Sequence, residues 1–175
     1  MRAPSNKQLA FSIPSDLRAW LSKNHGKAQE LWVQIFKKDC GTPSVTWADC
    51  VVEAIAWGWI DGQKKPKDDA SYLQRLSPRQ AKSNWSQKNK EHANRLIADG
   101  RMMPPGLVHV ESAKMDGRWD PAYAGPATMS IPDEFMAALE ENPKAKAFFE
   151  TLDRSNLYPI YYRLHTAKKP ETRAR

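Results

Sequence analysis

Apolar side chains repeat with a helical period in several parts of the chain, most clearly after Thr46. Val51 and Ile55 fall on one side of a helix that begins there. Thr46 and Asp49 have the spacing of a capping box, with Asp in place of the usual Glu or Gln. Gly58 has the residue type that ends helices in a left-handed conformation. The pattern therefore predicts a helix between Thr46 and Gly58.

Three further helices are predicted before a loop at residues 117–130, which lacks periodicity and contains Pro and Gly. They begin near Asp16, Asn84 and Pro104, and Ser15 and Ser83 are predicted as N-caps of the first two. After this loop the pattern is helical again. It predicts one helix from Ile131, a second from Pro143, and a last one from Asn156 or, because proline disrupts helix interiors, from Pro159.

Residues 30–37 are rich in β-branched and aromatic side chains and predict a strand. Residues 60–65 and 70–76 flank a Pro-Lys-Asp-Asp turn, which indicates a β-hairpin. Strands followed by helices favour an α+β fold: a small antiparallel sheet packed with helices, and then a helical C-terminal module. We expect an α+β domain over residues 1–128 and the helical module over residues 129–175.

The composition is that of a globular protein, with 175 residues of which 41% are hydrophobic and 27% charged. A chain of this length buries enough surface to fold without a disulfide or metal. No apolar run reaches the length of a membrane helix, so membrane insertion is not expected. The N-terminus lacks the pattern of a secretory signal. Cys40 and Cys50 are then expected to be reduced thiols rather than a disulfide, and the protein is expected to be cytoplasmic.

The formal net charge is +7, and it is unevenly distributed. Residues 61–101 carry ten Lys/Arg and five Asp/Glu, whereas residues 102–167 are net acidic and residues 168–175 are basic again. Such basic segments attract nucleic acid, a phosphorylated ligand or an anionic surface. A solvated surface that keeps the protein in solution is the simpler interpretation and the one we favour.

Aromatic and polar side chains are concentrated around the end of the helix after Thr46 and the start of the helix near Asn84. Aromatic walls with a few polar groups are typical of small-ligand pockets, and an arginine near a helix start suits a carboxylate or phosphate. Core packing of the tryptophans, an Arg79–Asp61 ion pair and a simple capping role for Ser83 are the structural alternatives. The predicted ligand-binding residues are Trp57, Trp59, Asp61, Arg79, Ser83, Trp85 and Asn89.

Catalytic and metal-binding patterns are not found. The four histidines and two cysteines have no ligand spacing, no nucleophile has a neighbouring histidine, and no glycine-rich phosphate loop occurs. Glu53 with Asp61 as an acid–base pair is less favoured than a buried Glu53 paired with Arg or Lys. We therefore predict no cofactor, no metal and no catalytic residues.

Four blocks of sequence together resemble the YdeI/OmpD-associated (OmdA) family, also called bacteriocin-protection proteins. The blocks are residues 53–62, residues 77–79 with 83–89, residues 113–119, and residues 167–173. The resemblance spans residues 17–175 and implies a protective role against antimicrobial peptides. It implies no reaction, cofactor or catalytic residue.

The leading functional hypothesis is a non-enzymatic protective or accessory protein that binds a small anionic ligand or a peptide in the Trp/Arg cleft. The first alternative is nucleic-acid binding through the basic segment 61–101, because the tryptophans in and around it are interleaved with basic residues in the manner of single-strand binding. These tryptophans are Trp57, Trp59, Trp85 and Trp119. The second alternative is an unrecognised enzyme, which requires a polar group with a perturbed pKa facing the cleft.

Overall fold

The structure is a computed structural model that describes residues 8–174. These residues form four strands and eight α-helices. The strands are β1 (Gln8–Ala10), β2 (Leu31–Phe36), β3 (Trp59–Pro66) and β4 (Ser71–Pro78). The helices are α1 (Pro14–Asn24), α2 (Trp47–Ala56), α3 (Gln87–Ala98), α4 (Pro104–Met115), α5 (Asp133–Glu140), α6 (Pro143–Phe149), α7 (Arg154–Thr166) and α8 (Pro170–Ala174). The predicted α+β class is confirmed.

The chain divides into two compact units. The first contains the described residues up to Ser83 together with Asn89–Asp120, and the second contains Asn84–Lys88 and the chain from Pro121 onward. The short segment Asn84–Lys88 thus belongs with the C-terminal helices, although it lies far from them in sequence.

The sheet of the first unit has the order β1-β2-β4-β3. β2, β4 and β3 pair antiparallel, as expected, but β1 adds to β2 in parallel, so the sheet is mixed. The β3–β4 hairpin is confirmed. Its register shifts between Asp61 and Lys64. β3 forms an edge of the sheet, and the second half of this strand is exposed.

One face of the sheet and two helices enclose the core of the first unit. Every second residue of β2 points into it, as expected for a strand with one buried face. α1 and α2 supply the opposite side of this core. Its buried members are Leu17, Leu21, Leu31, Val33, Ile35, Val45, Cys50, Ala54, Trp59 and Leu76.

α2 begins with the capping box that the sequence predicts. The Thr46 hydroxyl accepts from the Asp49 N–H at 3.2 Å, and an Asp49 carboxylate oxygen accepts from the Thr46 N–H at 2.8 Å. At its other end, α2 receives the first turn of α4. A Cβ on Gly106 would lie 2.5 Å from the carbonyl oxygen of Ala56, so only glycine permits this close approach.

Two predicted helix starts are wrong. α1 begins at Pro14 rather than after Ser15, with Ile13 in the N-cap position, in agreement with the preference of proline for the first turn. α3 begins at Gln87, because Ser86 forms an isolated β-bridge with Tyr123 and this keeps the preceding residues extended. Ser83 is therefore not the N-cap of α3.

The second unit has its own small core of Ala124, Met129 and Tyr161. The Tyr161 hydroxyl accepts from the Ala124 N–H at 2.7 Å, which fixes α7 against the loop after Pro121. Arg154 at the start of α7 donates to the carbonyls of Ala127 and Met129 at 2.8 and 3.3 Å. Pro159 lies inside α7, so of the two predicted starts the earlier one is closer to the structure.

Candidate functional site

Gly58 is the point at which three elements of the first unit meet. It follows α2 with a positive φ of 72°, and its carbonyl accepts from the Arg79 N–H at 2.9 Å, just after β4. A Cβ at this position would lie 2.7 Å from the Pro105 carbonyl oxygen and 3.0 Å from Cδ2 of His109. Glycine thus allows the backbone of Arg79 and the imidazole of His109 on α4 to approach the same point.

Arg118 follows α4 and ties that helix to the chain beyond β4. Its Nη1 donates to the Ser83 carbonyl at 2.7 Å, and its Nη2 lies 3.4 Å from the Ser112 hydroxyl, one helical turn after His109. Nε donates to the Asp116 carboxylate at 2.7 Å. Arg118 therefore lies on the same side of α4 as His109.

Both guanidinium-bearing residues are buried, since Arg79 is 5% and Arg118 8% exposed. Burial lowers the pKa of His109, and the positive charges of Arg79 and Arg118 lower it further. The imidazole is therefore neutral at neutral pH. Taken together, Arg79, Arg118 and His109 form a group that we call the arginine–histidine cluster, and it is rich in N–H donors and positive charge.

Two of the predicted tryptophans pack on the core of the first unit. Trp59 is 1% exposed, its Nε1 donates to the His25 carbonyl at 3.1 Å, and its ring meets Trp20 edge-on at 5.9 Å. Trp57 is half-buried, and its ring centroid lies 4.8 Å from that of His25. Both rings are thus directed towards α1.

The polar residues of the predicted site have different surroundings. Asp61 accepts from Nε1 of Trp47 at 3.1 Å. Ser83 joins the arginine–histidine cluster through its carbonyl, which accepts from Arg118, and not through its hydroxyl as a helix cap. Asn89 is half-buried on α3.

Trp85 belongs to the second unit, where it is 2% exposed and its carbonyl accepts from the Tyr123 N–H at 3.0 Å. Trp57 and Trp59 belong to the first unit. Of the seven predicted residues, Arg79 is a member of the arginine–histidine cluster, and Ser83 contacts it through Arg118.

Sequence reasoning did not identify His109 and Arg118 as site residues. Arg118 occurs within residues 113–119, a block used for the family resemblance, and this was an available signal. No such sequence signal marks His109, because this residue lies in an apolar helix. Its proximity to Arg79 depends on how α4 packs at Gly58.

Glu53 is a buried ion-pair residue, as the favoured interpretation had it. Its carboxylate accepts from Nε and Nη2 of Arg18 at 3.0 and 2.7 Å and from Nη2 of Arg101 at 2.9 Å. Cys50 and Cys40 are free thiols. Burial raises the pKa of Cys50 to about 12, so this thiol stays protonated and is a poor nucleophile.

Two basic side chains of the sheet lie on aromatic rings. Nζ of Lys64 is 4.0 Å from the centre of Tyr72, and Nζ of Lys65 is 4.4 Å from that of Trp32. Such pairs are attractive and cover the ring face. Nucleic-acid binding by residues 61–101 stays a prediction.

Two kinds of feature are absent from residues 8–174, the part of the chain that the structure describes. No group of three or more His, Cys, Asp or Glu side chains there is arranged to hold a metal ion. No helix within that range is long and apolar enough to cross a membrane.

The fold and the arginine–histidine cluster define an α+β protein whose first unit carries buried positive charge. The chain belongs to the family described as Domain of unknown function (DUF8412), whose model matches residues 9–109. The model for Bacteriocin-protection, YdeI or OmpD-Associated (OmdA) matches residues 128–175 and confirms the resemblance for that part of the chain. The comparisons with curated proteins and with solved structures each found no match.

Proposed function

We propose that this protein is a non-catalytic protective or accessory protein that binds a small anionic ligand at the arginine–histidine cluster. The observation that carries the proposal is the burial of Arg79 and Arg118 beside the neutral His109. The family description of the C-terminal match includes bacteriocin protection, which supports the protective part of the proposal.

Burial of a guanidinium is unfavourable, because the charged group loses hydration, and an acceptor with negative charge offsets this cost. Asp116 offsets part of this charge at Arg118, but its side chain is 46% exposed. A phosphate or carboxylate supplies planar pairs of acceptor oxygens that match a guanidinium. An imidazole N–H of His109 adds one more donor to such an anion.

The ligand class follows from these donors. Inorganic phosphate, a phosphate ester and a free carboxylate all offer the same charged oxygens, and so does the C-terminus of a peptide.

A cytoplasmic location remains our prediction, and the two free thiols are compatible with it.

Thermal unfolding of the full-length protein tests this proposal. Inorganic phosphate and acetate, added at constant ionic strength, should raise Tm, because a ligand that binds only the folded state stabilises it by about 2.7 kcal/mol at 100 times Kd. Arg79→Lys and Arg118→Lys should each reduce the shift, since lysine keeps the charge but loses the two-pronged geometry. Arg163→Lys, at an exposed position of α7, is the control.

Arg118 also anchors Ser83 and Ser112, so the fold of its variant is checked first by circular dichroism. If Arg118→Lys does not fold, Arg79→Lys and His109→Gln decide the question. Unchanged Tm shifts in folded variants of the cluster would exclude it as the binding site. Binding of an oligonucleotide that is lost with added salt, and that is indifferent to these variants, would favour the nucleic-acid alternative instead.

A further inference from the structure

A cavity in the first unit lies between α1, α2 and α3 and includes no residue of the arginine–histidine cluster. Its volume is about 480 Å³, which is within the range of small-molecule sites. Charged groups of both signs and a few apolar side chains line it. The lining residues are Pro14, Arg18, Asp49, Val52, Glu53, His92, Arg95, Leu96, Asp99 and Arg101.

The cavity is organised around the buried carboxylate of Glu53. This one negative charge is shared by Arg18 and Arg101, at N–O distances of 2.7 and 2.9 Å, so the three groups together carry one positive charge. The side chain of Glu53 is 3% exposed, whereas those of Arg18 and Arg101 are 43% and 45% exposed. A solute in the cavity can therefore reach the guanidiniums but not the carboxylate of Glu53.

Asp49 is also occupied within the protein, because one of its oxygens accepts from both the N–H and the hydroxyl of Thr46 at 2.8 and 2.7 Å. The partial positive charge at the start of α2 further offsets its charge. Of the three acidic residues in the lining, Asp99 is the exposed one, so its carboxylate is open to a solute that enters the cavity.

Arg95 and Asp99 are exposed and lie one helical turn apart at the end of α3, where the Asp99 N–H donates to the Arg95 carbonyl at 2.9 Å. An exposed ion pair at this spacing contributes little to stability, so both side chains are available to a ligand. Arg95 thus offers a guanidinium and Asp99 a carboxylate at the same side of the cavity.

The lining contains three guanidiniums and three carboxylates, so a simple anion or cation gains little from its net charge. A zwitterion, by contrast, finds a partner for each of its charges. We propose that this cavity binds a free α-amino acid with an apolar side chain. Its carboxylate pairs with Arg95 and Arg101, and its ammonium group pairs with Asp99.

The remaining wall fits the side chain of such a ligand. Pro14, Val52 and Leu96 contribute apolar surface from α1, α2 and α3 in turn. Burial of an apolar side chain against such surface is favourable, in proportion to the apolar area that is removed from water. Glycine should therefore bind more weakly than leucine.

Isothermal titration of the full-length protein with leucine, valine and phenylalanine tests the inference, and N-acetyl-leucine and leucinamide serve as blocked forms of leucine. We expect at least one of the free amino acids to bind. Removal of either charge from leucine should weaken its binding by tenfold or more, which corresponds to about 1.4 kcal/mol. Absence of binding by all three at about 10 mM would overturn the proposal. Equal binding of N-acetyl-leucine would also overturn it, because it would mean an anion site.

Variants at the two exposed positions assign each charge. Arg95→Gln should weaken the binding of leucine about tenfold but hardly change that of leucinamide, which has no carboxylate. Asp99→Asn should weaken the binding of leucine but hardly change that of N-acetyl-leucine, which has no ammonium group. Arg163→Gln is the surface control and should leave leucine binding unaltered. Unaltered leucine binding in both Arg95→Gln and Asp99→Asn would exclude the cavity. Phosphate binding at the arginine–histidine cluster should be insensitive to these two changes, so the two proposals fail separately.

Discussion

His109 is a side chain whose charge state depends on its neighbours rather than on exposure alone. Burial and the two arginines favour the neutral imidazole, and a bound anion would oppose this effect by neutralising the arginines. The protonation of a single histidine thus reports on the occupancy of the arginine–histidine cluster.

The stability of the protein should therefore depend on His109 at mildly acidic pH. The unfolded state has the higher histidine pKa, near 6.5, and so binds more protons as the pH falls below about 7. The free energy of unfolding should decrease from about pH 7 downwards until the lowered pKa of folded His109 is passed. Urea unfolding at several pH values should show this loss in the natural protein and a smaller loss in His109→Gln.

NMR titration of the histidine ring protons gives an independent measurement. The resonance that is missing in His109→Gln should titrate below the usual histidine range, and inorganic phosphate should raise its pKa. A resonance that titrates normally, with no response to phosphate, would contradict both the environment of His109 and the proposed ligand.

At the scale of elements, local signals in the sequence predicted the structure well wherever the contacts are local. The capping box at Thr46 and the β3–β4 hairpin are formed by residues close in sequence, and both are confirmed. β1 was not predicted, because three residues that pair in parallel with β2 have no periodic signal of their own. The late start of α3 depends on the bridge between Ser86 and Tyr123, which the local pattern does not contain.

The packing of α4 against the end of α2 is the element-level contact on which the arginine–histidine cluster depends. Gly106→Ala should destabilise the protein by about 3 kcal/mol, because the new methyl group meets the backbone carbonyls of Ile55 and Ala56, which cannot move aside cheaply. Anion binding should weaken in parallel, since His109 lies one turn further along the same helix. Chemical denaturation of the variant measures the first effect and calorimetry the second.

Gly26→Ala is the matched control for this substitution. A Cβ on Gly26 would have no heavy atom within 4 Å, and its effect should be within about 1 kcal/mol. Similar stabilities for the two variants would mean that α4 is not held closely against α2.

At the scale of the whole molecule, the sequence indicated the division into an α+β part and a helical part, but the structure adds a discontinuity. Asn84–Lys88, which includes the first two residues of α3, belongs to the second unit, although the chain on both sides of it belongs to the first. The discontinuity explains part of the difference between the predicted site and the arginine–histidine cluster. Trp85 belongs to the second unit because its backbone pairs with that of Tyr123, far along the sequence. Burial of Trp59 likewise follows from the tertiary packing of α1 on the sheet, which its local sequence does not specify.

The fragment 1–128, which ends at the predicted domain boundary, should keep the fold of the first unit. All ten buried residues of that unit's core cluster lie between Leu17 and Leu76, so truncation removes none of them. All seven tryptophans are retained as well. We expect cooperative thermal unfolding and the fluorescence of a buried Trp59; a fragment without a cooperative transition would contradict the self-sufficiency of this core.

The irregular outer strand of the sheet also affects how copies of the chain meet. β3 ends the sheet, and its shift of register after Asp61 is followed by three exposed lysines, Lys64, Lys65 and Lys67. A kinked, positively charged border is a poor template for an incoming strand of the same protein. Growth into stacked fibrous sheets from this side is thereby discouraged, even at the high concentrations reached during overexpression.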